Sequence, residues 1–71
     1  MNDLDTVNFR EDNELDYHLE LVNKSKSHAN RTFLRENTQW TAKDELGKKI
    51  ITHKEFKPYV IADQSNLNDL K

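Results

Sequence analysis

No cysteine occurs in the 71 residues, so disulfides and thiolate nucleophiles are excluded, and the absence also argues against a zinc site. Glycine and proline occur once each, which leaves nothing from which to build a glycine-rich phosphate loop. Hydrophobic residues make up only 34% of the chain and aromatics 8%. With a mean hydropathy of −1.04, the composition approaches that of a disordered chain, so part of it is expected to order only on a partner. No apolar run approaches the length of a membrane span, and Met-Asn-Asp-Leu-Asp at the start lacks the basic and apolar regions of a signal peptide. A cytoplasmic protein with no membrane contact is the expectation.

A chain of this length holds one small core, and such chains usually need disulfides, a metal or a second chain to gain enough buried surface. With cysteine absent, oligomerisation is the remaining remedy.

The net charge of −2 conceals an asymmetry. Residues 1 to 20 carry Asp3, Asp5, Glu11, Asp12, Glu14, Asp16 and Glu20 against Arg10 alone, whereas residues 21 to 35 carry Lys24, Lys26, Arg31 and Arg35 with no acid. A cationic patch over the second stretch would neutralise phosphates and weaken steeply with salt. The competing reading is a solvated turn with ordinary surface bases.

Thr6-Val7-Asn8-Phe9-Arg10 alternates polar and apolar side chains, as a strand with one wet and one apolar face does. Its wet face offers a hydroxyl, an amide and a guanidinium, groups able to read base edges in a major groove. Beyond it, Asp12 or Asn13 is placed to cap a helix over about residues 13 to 24, with Leu15, Leu19 and Val22 forming one apolar stripe and Tyr17 and Leu21 a second. The polar run from Asn23 to Ser27 should break that helix, and Ser27 should cap the next, which carries Ala29, Phe33, Leu34 and Trp40 on its buried face. Thr41 and Asp44 have the spacing of a capping box, Gly47 is placed to terminate a helix, and Thr52 with Glu55 offers a further capping signal. Pro58 should stop any helix at or before Lys57, leaving Tyr59-Val60-Ile61 extended and a polar tail from Asp63 to Lys71.

A lone strand needs a neighbour for its backbone groups, and no second good strand lies within hairpin distance. The simplest partner is the same strand of a second copy, paired antiparallel about a twofold axis through Val7 and Phe9. The expected fold is therefore mainly α, a ribbon-helix-helix homodimer with one short amino-terminal strand and two helices, followed by a helical or extended tail. The expected domains are residues 1–40 for dimerisation and DNA binding and residues 41–71 for a protein partner.

Thr6-Val7-Asn8-Phe9-Arg10 and Phe33-Leu34-Arg35-Glu36 together resemble small repressors of the Arc and CopG kind. The resemblance implies base contacts from Thr6, Asn8 and Arg10 and an approach to phosphate by Ser27, His28 and Asn30 at the start of the second helix, with Arg31 supplying charge from the cationic stretch. It departs from the pattern in lacking the usual turn glycine and in placing Asn37 where an apolar residue is expected. Trp40-Thr41-Ala42 with Gly47, and later Ala62-Asp63-Gln64, is similar to the toxin-binding part of CcdA-type antitoxins.

Trp40 is either the end of the core or a partner anchor, and Phe56, Tyr59, Val60 and Ile61 suit docking on another protein. His18, His28 and His53 have no short ligand spacing and are expected to be exposed or interfacial, so no metal, cofactor or catalytic residue is assigned. Two functions stand as expectations. One is an autorepressing antitoxin that binds a double-stranded operator and holds a toxin with its carboxy-terminal segment. The other is a small phage or mobile-element protein that blocks a host or competitor protein by direct binding, without DNA recognition.

Overall fold

A computed structural model describes residues 4–69. Asp3, among the amino-terminal acids, and Leu70 and Lys71, at the end of the polar tail, lie outside the described residues. Helix α1 spans Asp12–Leu21. Helix α2, His28–Phe33, continues through a π-helical turn, Leu34–Thr38, into α3, Gln39–Leu46, with helical backbone angles at both junctions. Helix α4 spans His53–Asp63 and ends in a 3-10 turn, Gln64–Asn66.

Ten apolar side chains drawn from every part of the described chain form the core. Leu15 and Leu19 of α1, Leu34 of the π turn, Ala42 of α3 and Phe56 of α4 are fully buried, while Val7 and Phe9 of the amino-terminal segment and Leu67 near the other end close it. Phe9 meets Phe56 edge to face at a centroid distance of 5.0 Å, a favoured aromatic geometry.

The ribbon-helix-helix expectation is overturned, because no β-strand occurs among the described residues. Residues 4 to 10 do alternate, with Val7 and Phe9 buried and Thr6, Asn8 and Arg10 exposed. Their backbone partner, however, belongs to the same chain. Val7 N–H donates to Ile51 C=O at 2.9 Å, and His53 N–H donates to Asp5 C=O at 2.9 Å, around an isolated bridge between Thr6 and Thr52. Ile51 and Thr52, far downstream in the sequence, thus supply the neighbour that a second copy was expected to supply.

Helix ends obey local chemistry closely. Ser27 Oγ accepts from Asn30 N–H at 3.2 Å and starts α2. Asn23, at φ 57°, ends α1 in the left-handed conformation, with Lys24 N–H reaching Leu19 C=O and Asn23 N–H reaching Glu20 C=O. Gly47, at φ 65°, ends α3 with the same pair of bonds, from Lys48 to Lys43 and from Gly47 to Asp44. Thr52 and Glu55 form a full capping box, worth about 1 kcal/mol at the start of α4. The Thr41 and Asp44 pair caps nothing, because Thr41 lies inside a continuing helix and its hydroxyl donates to Asn37 C=O at 3.2 Å.

Two expectations about helices are corrected. Pro58 does not stop α4, and Tyr59-Val60-Ile61 is helical rather than extended. The carbonyl that Pro58 cannot satisfy belongs to exposed Lys54, where water can serve it, and burial of Phe56 and Val60 offsets the missing bond. The second correction concerns the face of the long helix. A π turn adds residues per turn and rotates the downstream side chains by roughly a quarter turn relative to an unbroken α-helix. Asn30, Leu34, Thr38 and Ala42 therefore line the buried side, while Ala29 is exposed and Trp40 is 60% exposed. Gln39 closes the widened turn by donating from Nε2 to Arg35 C=O at 2.6 Å.

Candidate partner-binding groove

Chain pairing between residues 5–7 and 51–53 holds the amino-terminal segment beside α3, and a groove of about 600 Å³ opens between them. Arg10, Arg35, Lys43 and Lys49 line it, and none of its lining residues is acidic. Ile50, 69% exposed, forms part of the wall. Trp40 stands over an adjoining hollow that shares Lys43. The Lys43 ammonium lies 5.0 Å from the Phe9 ring centroid and 5.2 Å from that of Trp40, between two aromatic faces. Its Nζ donates to Gln39 Oε1 at 2.7 Å, a neutral acceptor, so its charge is uncompensated by any carboxylate there.

The other cations of the groove differ in how far they are engaged. Arg35 donates from Nε to Phe9 C=O at 2.7 Å and from an amino group to Asp12 at 3.0 Å, which fixes the groove floor. Arg10 and Lys49 are exposed and form no ion pair among the described residues. Asn8 shapes the wall between them. Its Oδ1 accepts from Arg10 N–H at 3.1 Å, while its own N–H donates to Glu14 at 2.9 Å. Thr6 contributes the one backbone unit of the bridge that faces outward. In an antiparallel pair whose hydrogen bonds are made by the flanking residues, the central residue directs its N–H and C=O to the opposite edge.

The residues expected at phosphates are placed otherwise. Asn30 is 2% exposed, and its amide is fully engaged, donating to Ser25 C=O at 2.7 Å and Asn68 C=O at 3.0 Å and accepting from Asn68 N–H at 2.8 Å. Ser27 is used as a cap, and exposed His28 reaches only Thr32, at 3.5 Å. Arg31 grips Asp16 at 2.8 and 3.3 Å, and that hydrogen bond is the main reason its guanidinium is held above its ordinary pKa. Arg35 with Asp12, Arg31 with Asp16 and Lys26 with Glu20 form a ladder between the acid-rich and base-rich stretches of the sequence. Lys24 in turn pairs with Asp69. The cationic patch read from the sequence is thus largely neutralised by the acids that precede it.

Of the residues expected at a protein partner, Trp40 and Ile61 are exposed and Tyr59 is half-buried. Phe56 and Val60, at 0% and 1% exposure, serve the core of this chain. Burial and the nearby Glu45 raise the Tyr59 phenol above its usual pKa. The groove also recruits Lys43, Lys49 and Ile50, which no local sequence signal marks, because it forms only when residues 6–10, 35–43 and 49–50 meet.

His18 and His53 also depart from expectation, since both are completely buried. Among the described residues no group of three or more histidine, cysteine or acidic side chains is arranged to hold a metal ion, and no helix is long and apolar enough to cross a membrane. Neither a family model, a curated protein nor a solved structure matches the chain.

Proposed function

We propose that the chain is a small binding protein that acts by occupying another protein through the groove flanked by Trp40 and Ile50, without catalysis and without reading DNA. One observation carries this reading: four cationic side chains and no acid line a groove whose edges expose a tryptophan and an isoleucine. Large apolar side chains beside unpaired charges are the composition of a recognition surface, and tryptophan is among the residues that dominate such contacts. The operator-binding alternative drew on a two-chain ribbon and on free bases between Lys24 and Arg35. The first is replaced by pairing within the chain, and the second is engaged by Asp12, Asp16 and Glu20.

Photo-crosslinking in cells that express the gene tests the reading. A crosslinking residue at Trp40 or Ile50 should join the chain to one protein, one at Lys54 should not, and Arg10→Glu should remove the product. Crosslinks to nucleic acid alone, or equal products from all three positions, overturn it.

A further inference from the structure

We infer that the groove takes an acidic, extended peptide segment, which adds to the outward edge of Thr6 as a short strand. This inference rests on the proposed protein-binding role and names the chemistry of the partner.

Three observations converge on it. First, Thr6 is exposed, sits at the centre of the bridge to Thr52, and its own N–H and C=O form no hydrogen bond among the described residues. An outward donor and acceptor on one extended residue are what a single residue of an added strand pairs with. Second, that edge opens into the groove rather than onto bulk solvent, since Thr6, Val7 and Asn8 form its wall. Third, the charge around it has one sign. Arg10 and Lys49 are unpaired, and Lys43 is bonded only to an amide.

The length of the pairing is also fixed. Asn8 N–H is taken by Glu14, and Asn8 C=O accepts from Glu11 N–H at 3.1 Å, so strand addition cannot run past Thr6 in that direction. Two backbone bonds give register but little affinity. Alternate side chains of the added strand fall on the two sides of the edge. Those on the side of Val7 and Phe9 meet Lys43 and Arg35, and those on the other meet Arg10 and Lys49. Carboxylates on the segment therefore supply most of the attraction, and apolar residues among them cover Ile50 and Trp40. Binding of this kind weakens with salt, because much of it is between partly exposed charges.

The probe is a short, capped peptide that alternates glutamate and valine, titrated against the whole chain. Trp40, the only tryptophan, reports occupancy by fluorescence, and amide exchange of Thr6 reports pairing. The peptide should shift Trp40 emission and slow Thr6 exchange about tenfold. Arg10→Glu and Lys49→Glu, both at exposed positions that the core does not use, should each weaken binding about tenfold. N-methylation of the peptide backbone should weaken it similarly, and a lysine-valine peptide should not bind. Peptide binding with unchanged Thr6 exchange overturns strand addition and leaves the protein-binding groove standing. Equal binding of the lysine-valine peptide overturns the charge argument. If single-stranded DNA moves Trp40 and no acidic peptide does, both the inference and the proposed function fall.

Discussion

His18 Nε2 and His53 Nδ1 lie 2.8 Å apart with both rings wholly buried, joining α1 to α4 across the core. The far nitrogen of His53 is 3.2 Å from Glu14 Oε1. A carboxylate accepts and does not donate, so a proton sits on His53 Nε2. With one proton per ring, His53 Nδ1 is then the acceptor and His18 Nε2 the donor. Glu14 also accepts the Asn8 N–H, so this chain of contacts ends at the groove wall.

Replacing either histidine by alanine should therefore cost about 2–4 kcal/mol, from the lost ring volume and from the bond removed from the remaining imidazole. Their coupling is the sharper quantity. A double-mutant cycle measured by urea unfolding should give a favourable interaction of about 1–2 kcal/mol. Additive single effects would mean that the two rings are merely packed together.

Much of this arrangement is legible locally. Leu15, Leu19 and Val22 mark the inner face of α1, and His18 occupies the remaining position of that face, three after Leu15. His53, Phe56 and Val60 repeat the same spacing on α4, so the burial of both histidines is written in the periodicity, although their contact is not. Ser27, Gly47 and the Thr52–Glu55 pair mark helix ends correctly because capping depends on a few adjacent atoms. The π turn leaves no comparable signal, and it is what moves Trp40 out of the core and Gln39 in. Nor does spacing show that Ile51 and Thr52 pair with residues 5–7, a contact decided by tertiary packing.

Pro58 is tolerated in α4 rather than required by it. Alanine at this exposed position would restore the N–H to Lys54 C=O bond and relieve the ring's crowding of that carbonyl, so Pro58→Ala should stabilise the chain by about 1–3 kcal/mol. Thermal unfolding checks the sign. Destabilisation would show that the proline ring, which borders a hollow with Leu4 and Ile61, contributes more by packing than it removes from the helix.

Acid should weaken the start of α4. Lys48 bonds Glu55 at 2.5 Å, and with the Thr52 N–H it holds the Glu55 carboxyl below its ordinary pKa. A depressed carboxyl stabilises the fold above its unfolded value, about 4.3, and that contribution is lost as pH falls through the lower folded value. Glu55→Gln keeps a side-chain acceptor for Thr52 but has no charge to lose. Its melting temperature should fall below wild type at neutral pH, and the gap should close below about pH 4.

Asn30 ties the carboxy-terminal segment to α2, because its amide holds both the N–H and the C=O of Asn68. Asn30→Ala leaves those groups and Ser25 C=O without their partner, at a cost of about 2–4 kcal/mol. Exchange of the Asn68 amide should accelerate more than exchange within α1. A uniform acceleration would instead place Asn30 in the global unfolding unit.

The ion-pair ladder bears separately on nucleic acid. If Asp12, Asp16 and Glu20 mask the bases opposite them, their neutral variants should expose Arg35, Arg31 and Lys26 without moving the helices. The combined Asp12→Asn, Asp16→Asn, Glu20→Gln chain should then bind double-stranded DNA non-specifically, with affinity falling against salt at a logarithmic slope of about −3, one unit for each released base. Wild type should show no such binding under the same conditions. Equal DNA affinity in both chains would mean that the acids mask nothing and that the base-rich stretch is a phosphate-binding surface after all.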